Sequence, residues 1–222
     1  MEYTNSKLAT SKVDLTKNSN PRKNEKYNQT GQIAKITIHH MAAVLGAEAC
    51  AKIHAKSANA SANYYIGKDG EICLGVPESR RAWTSNSSLN DYQAVTIEVS
   101  NDTNKNPWTV SEKAYKSLIK LCVDICKRNN IEKIRYTGDE RGNLTMHKWF
   151  SATACPGPYL ESKFPEIADE INKELKAPAA YKGSKTLYAV QVGAFANKNN
   201  AERLVKELET KGYIATVVKK NG

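Results

Sequence analysis

Residues Ile33 to Met41 read IAKITIHHM. Ile33, Ile36 and Ile38 lead into His39 and His40, the pattern of a buried strand with two imidazoles at its exit. A second β-rich run, Ala94 to Ser100 (AVTIEVS), carries a charge. Alternation sets Val95, Ile97 and Val99 on one face and Thr96, Glu98 and Ser100 on the other, so Glu98 shares its face with small hydroxyls. Both runs are therefore read as strands that carry titratable groups among β-branched residues.

Working outward, Ala47 to Lys56 suits a helix, and Asn63 to Ile66, Lys68-Asp69-Gly70 and Ile72 to Val76 read as strand, turn, strand. Ser111 to Asn129 is the clearest helix, with Tyr115, Leu118, Ile119, Cys122, Ile125 and Cys126 forming one apolar stripe. Ile134 to Thr137 reads as a short strand. Pro158 to Leu175 gives a helical segment interrupted or restarted at Pro165. This alternation over residues 31–176 predicts one α/β domain, a mixed central β-sheet flanked by helices. Residues 1–30 are polar, with Pro21 among them, and read as a basic arm holding at most one short strand or turn. Residues 177–185 have the Pro, Ala and Gly content of a linker. Within 186–222, Thr186 to Phe195 reads as a strand, Asn199 to Lys211 as a helix ended by Gly212, and Tyr213 to Lys219 as a second strand: a small βαβ unit.

The net charge of +10 is unevenly spread. Residues 1–30 carry six basic and three acidic side chains, residues 31–176 carry 19 and 17, and residues 177–222 carry eight and three. Basic flanks attract polyanions of any kind, including nucleic acid, anionic lipid and acidic wall polymers. A nearly neutral middle argues against a nucleic-acid-reading core. No run approaches the roughly 18 residues of a membrane span, and Met1 to Ser11 lacks the apolar stretch of a secretory signal. The expectation is synthesis in the cytoplasm without membrane insertion. The five cysteines form an odd set without CxxC spacing, so free thiols are expected.

Imidazole nitrogen and thiolate sulfur are the preferred ligands of zinc, and a catalytic zinc takes three protein ligands and leaves a fourth position open. His39, His147 and Cys155 could meet that count. On spacing alone, a satisfied structural histidine and a buried cysteine remain the alternative. His54, in a polar helix, is expected to be exposed. A carboxylate such as Glu98 can take a proton from a metal-activated water if it lies nearby, and a solvated edge-strand glutamate is the alternative.

Four ordered motifs, Ile36 to Met41 (ITIHHM), Ser61 to Gly70 (SANYYIGKDG), Val95 to Asn101 (VTIEVSN) and Met146 to Gly157 (MHKWFSATACPG), resemble the type-2 N-acetylmuramoyl-L-alanine amidases. That zinc family shares its fold with peptidoglycan recognition proteins and includes endolysins and autolysins of Gram-positive bacteria and their phages. The resemblance implies Zn²⁺ held by His39, His147 and Cys155, with Glu98 as the catalytic carboxylate. It implies hydrolysis of the amide between N-acetylmuramic acid and L-alanine in peptidoglycan, acting on the wall after release from the cell. It also implies a substrate-facing set of His40, Asn63, Tyr64 and Trp149. Two departures stand out. Thr153 occupies the place where many relatives carry a Lys, and Ala62 the place where some carry a catalytic Tyr. Both shift the burden to Glu98 and leave Thr153 as an uncharged hydrogen-bond donor to the oxyanion.

The tail, LYAVQVGAF from Leu187 to Phe195 and the helix after it, resembles the first half of a SPOR domain, a peptidoglycan-binding module. A single βαβ is too narrow to be stable alone. It is expected to pair with a second copy in a dimer or to pack on the catalytic domain. The competing class is a non-catalytic peptidoglycan-binding module, whose members typically lose the cysteine that this chain keeps as Cys155.

Overall fold

Period-two alternation of isoleucine and valine in two central strands demands an apolar layer on one side of the sheet, and two long helices supply it. In the computed structural model, which describes residues 2–57, 59–176, 191–211 and 215–219, the chain forms two units, Met1–Lys176 and Ala177–Gly222. The first unit holds strands β1 (Ser11–Lys12), β2 (Ser19–Pro21), β3 (Lys35–His40), β4 (Tyr64–Ile66), β5 (Ile72–Leu74), β6 (Arg80–Ala82), β7 (Ala94–Val99) and β8 (Leu144–Met146). Its helices are α1 (Ala47–Lys56), α2 (Ser88–Asp91), α3 (Glu112–Arg128) and α4 (Gly157–Lys176).

Six strands form one sheet in the order β1-β5-β4-β7-β3-β8, and β2 pairs with β6 in a separate two-stranded ribbon. The large sheet is mixed: β4 and β5 are antiparallel, and every other neighbouring pair is parallel. Ile36, Ile38, Tyr64, Ile66, Val95, Ile97 and Val99 form a core with Leu118, Leu121, Cys122 and Ile125 of α3 and Leu160, Phe164, Ile167 and Ile171 of α4. A smaller cluster on the other face joins Ala47, Cys50 and Ala51 of α1 to Ala62, Tyr65, Cys73 and Val76. The result is a three-layer α/β/α arrangement whose second face is only partly apolar. Ser111 caps α3 by accepting a hydrogen bond from the Ala114 amide, a contact worth about 1 kcal/mol.

Three expectations change. Ile134 to Thr137 is not a strand, because the Ile134 and Arg135 amides donate to the side-chain oxygens of Asn172 and Asn143 instead of to a neighbouring strand. The edge strand is β8, which runs directly into His147. Pro165 lies inside a continuous α4. The third change concerns residues 1–30, which are woven into the body. β1 pairs with β5, β2 pairs with β6, and a 3-10 turn (Thr16–Asn18) lies between. Arg22 is fully buried and donates to the carbonyls of Glu78, Arg80, Tyr92 and Ala94 at 2.6 to 3.1 Å. Burial lowers its pKa to about 10, so it stays cationic at neutral pH. Composition marked this segment as polar, and its polar groups are used to satisfy buried backbone.

The second unit contains α5 (Lys198–Thr210), capped by Asn197. Ala201, Leu204, Val205 and Leu208 line one half-buried side of it. The described parts of the two flanking segments expected as strands, 191–195 and 215–219, carry no strand; 186–190 and 213–214 lie outside the described residues.

Replacing Arg22 with Met keeps the length of the side chain but removes the donors to four carbonyls. The expected loss is about 3 kcal/mol or more of unfolding free energy, read as a lower urea midpoint at unchanged slope. An unchanged midpoint would mean that residues 1–30 contribute little to the body.

Candidate functional site

Because β3, β7 and β4 run parallel and in register, His39 faces Glu98 and Glu98 faces Tyr65 across the sheet. Side chains paired in register point to the same face, so this row lies on the polar side, opposite the α3 and α4 core. On the outer edge Ile38 pairs with Met146, which brings the next residue, His147, level with His39. The two imidazoles lie 4.9 Å apart, centre to centre. Cys155 arrives from the loop before α4. Its carbonyl accepts from the Lys148 amide, and its own amide donates to Thr153 Oγ1 at 3.2 Å.

One ligand atom from each of His39, His147 and Cys155 lies within 4.8 Å of the others. Cys155 Sγ stands 3.5 Å from His39 Nδ1. Two donors at about 2.3 and 2.0 Å from a tetrahedral ion subtend about 3.5 Å, so the Cys155–His39 spacing suits zinc. His39 Nε2 is buried without a hydrogen-bond partner. Burial first, then the neighbouring imidazoles, holds the His39 pKa well below its ordinary value, and burial lowers that of His147 against the pull of Asp91. Both rings are therefore neutral, the form that ligates metal. Burial and the nearby Glu98 push the Cys155 thiol up. The donor set fits a zinc ion.

Glu98 is 8 % exposed. Burial pushes its pKa up to about 8. No described side chain donates a hydrogen bond to it. Beside it, Tyr65 is fully buried, with its hydroxyl 2.8 Å from His54 Nδ1 and accepting from the Ala62 amide at 2.8 Å. His54 is thus half-buried rather than exposed. The signal was in the helix: Ala47, Cys50, Ala51 and His54 follow the i, i+3, i+4, i+7 spacing of one face.

The other expected substrate contacts are placed differently. Tyr64 points to the opposite face of the sheet, fully buried, and donates to Glu78 Oε1 at 2.6 Å. Asn63 is on the site face but fully buried, its amide donating to the Val76 carbonyl and its oxygen accepting from the Thr96 amide. Both are occupied in holding the sheet together. Trp149 is half-buried, stacked on Tyr136 and edge-on to Phe164. His40 lies on the side of β3 away from His39, edge-on to Trp108. Gly157, at φ +81°, lets it approach: a Cβ there would meet His40 Cε1 at 2.9 Å.

Next to His147 opens a cavity of about 510 Å³ lined by Asn20, Asn59, Arg81, Trp83, Thr84, Asn86 and His147, a volume usual for small-ligand sites. Arg81 and Trp83 alternate on one side of the run RRAW, a pattern readable in the sequence once β6 is recognised as a strand.

The N-acetylmuramoyl-L-alanine amidase family matches residues 29–158, and the SPOR domain matches residues 184–222. No curated protein is similar enough in sequence to be matched. Among solved structures, PlyL is similar at 16% identity and TM-score 0.54, covering 72% of this chain and 95% of PlyL. The PlyG catalytic domain is similar at 20% identity and TM-score 0.55, covering 73% and 93%. The catalytic domain of XlyA follows at 17% identity and TM-score 0.51, covering 73% and 99%. These likenesses show a shared fold. The family match spans more than half of the chain, which therefore belongs to the N-acetylmuramoyl-L-alanine amidases and carries the enzymatic activity that this name describes.

Proposed function

We propose that the chain is a zinc-dependent amidase that cuts the bond between the lactyl group of N-acetylmuramic acid and L-alanine. His39, His147 and Cys155 hold the ion and Glu98 moves the proton. The observation that supports this most directly is the convergence of three ligand atoms within 4.8 Å beside a carboxylate that is a register neighbour of His39. A zinc ion held there supplies Lewis acidity, which polarises an acyl oxygen and lowers the pKa of water from 15.7 toward about 7. Glu98 accepts the proton of the attacking water and returns it to the leaving nitrogen of L-alanine. Thr153 Oγ1 accepts from the Cys155 amide, which leaves its own hydroxyl hydrogen to point at the developing oxyanion. A purely binding module would have no use for three converging donors and a desolvated carboxylate.

In this reading the basic second unit, matched to the SPOR domain, attaches the enzyme to peptidoglycan and to anionic polymers of a Gram-positive wall. No helix among the described residues is long and apolar enough to cross a membrane. The enzyme then lyses the wall on release from the cell. Val192, Phe195, Val217 and Val218 are exposed around α5, an apolar surface suited to pairing with a second copy.

Incubating the enzyme with purified walls should free N-terminal L-alanine; a new reducing sugar in its place would mean that a glycosidic bond is cut instead. A strong chelator should abolish this release and added zinc restore it, with one ion per chain by elemental analysis. Persistent release in metal-free protein would overturn the ligand assignment. Glu98→Gln should lower kcat by about 10² or more, the usual share of a general acid-base, while zinc content stays at one per chain. A variant with full rate and full zinc would remove Glu98 from the chemistry.

A further inference from the structure

β2 lies outside residues 29–158, the part of the chain matched to the amidase family, yet it borders the cavity beside His147. Asn20 pairs directly with Arg81 in the antiparallel ribbon. Its side-chain oxygen accepts two hydrogen bonds, from Trp83 Nε1 at 2.6 Å and from Arg81 Nη1 at 3.1 Å. Arg22, two residues on, fixes this strap to the body through its four buried carbonyls.

Arg81 is the one permanently charged side chain among the cavity-lining residues, and none of them is acidic. Its guanidinium lies over the Tyr92 ring at 5.1 Å. Asp91 stands 3.7 Å from Nη2, beyond hydrogen-bond length. The Asp91 oxygens are engaged by the Ser85 hydroxyl, the Ser85 amide and the Asn90 amide group. Arg81 Nε is buried without a hydrogen-bond partner, so the donors left for a ligand are the Nη hydrogens. Set over a tyrosine ring, ion-paired with Asp91 at 3.7 Å and gripped at one corner by Asn20, the guanidinium keeps Nη donors to spare in a cavity that contains a candidate metal ligand.

We infer that Arg81 takes a carboxylate of the stem peptide in this cavity, and that Asn20, carried on the N-terminal strap, is the positioning residue that sets the plane of its guanidinium. This rests on the reading above that a muramoyl peptide is cut beside His147, from which the peptide runs into the cavity. A planar fork binds a carboxylate with two parallel hydrogen bonds only when its plane is held, which a flexible arginine does not achieve unaided. The strap therefore tunes substrate choice from outside the catalytic core.

The test is calorimetric binding of the free stem peptide to the full chain. That peptide contains no muramoyl amide and is not consumed. Two forms are compared, one with the free carboxylate on its second residue and one with that carboxylate amidated. The wild type should prefer the acid by about tenfold, equivalent to about 1.4 kcal/mol. Asn20→Ala should narrow the preference to under about threefold. Asn20→Asp keeps both accepted hydrogen bonds, and so the strap, but adds to Asp91 a second carboxylate, this one hydrogen-bonded to the guanidinium, and should also erase the preference. A strap that served only stability would lower the melting temperature of Asn20→Ala and leave the acid-to-amide ratio untouched. An unchanged ratio in Asn20→Asp, or no preference in the wild type, overturns the inference. Failure of the amidase reading would show separately, as walls that release no L-alanine, and would not alter the ratio measured with free peptide.

Discussion

The site depends on one constraint, the unbroken parallel register between β3 and β7 from Lys35 opposite Ala94 to His40 opposite Val99. A slip of one residue would turn the slipped strand over, sending His39 or Glu98 into the α3 and α4 core and taking that strand's isoleucines or valines out of it. Burying each of those side chains contributes about 1.5–3 kcal/mol. Ile36, Ile38, Val95, Ile97 and Val99 are all buried, so their combined burial far outweighs any local preference of the polar residues between them. The hydrophobic effect on one face thereby sets the geometry of the chemistry on the other.

A polar sheet face under a roof of protein is tolerable only if its groups are satisfied. One row in from the site, Asn63, Thr96, Thr37 and Thr145 meet that condition. Thr37 and Thr145 share a hydrogen bond of 2.9 Å, Asn90 donates to Thr37, Thr145 donates back to Asn90, and Thr96 bonds with Thr84. Two residues further along the parallel strands, at their C-terminal ends, the pattern stops. His39 Nε2 is buried without a partner, and Glu98 is 8 % exposed. Open sheets place ligands beyond the carboxyl ends of parallel strands, and here the change from a row of hydrogen-bonded hydroxyls to one containing His39 and Glu98 marks that boundary within a single face.

Strong periodicity made the central elements legible. α1 agrees with the helix read at Ala47 to Lys56, α3 with the one read at Ser111 to Asn129, and the β4 turn β5 unit with its Lys68-Asp69-Gly70 signal. The polar contrast within AVTIEVS placed Glu98 on the correct side of its strand. What escaped was held by long-range pairing with little local signature. β8 is three residues long, and its strand character comes from a neighbour more than 100 residues away. β2 contains Pro21 and exists through its ribbon with β6. Arg22 reads as one more charge in a polar arm, since nothing local announces four waiting carbonyls. Tyr64 and Tyr65 are indistinguishable by type, and only the register of β4 against β7 decides that Tyr65 stands beside Glu98 while Tyr64 serves Glu78.

The buried groups also carry an electrostatic argument about what the proposed site requires. Without a cation, desolvation favours the uncharged form of every member: both imidazoles neutral, the thiol protonated, and Glu98 a neutral acid up to about pH 8. A neutral carboxylic acid cannot accept a proton, so Glu98 is a poor base in that state at pH 7. The proposed dication among His39, His147 and Cys155 would reverse the balance, since an opposite charge nearby favours the thiolate and the carboxylate. In that reading ligand formation and base activation would be one event driven by the same field. In the proposed reading an arginine or lysine beside Glu98 would ionise it in advance but would add a positive charge that repels the proposed ion.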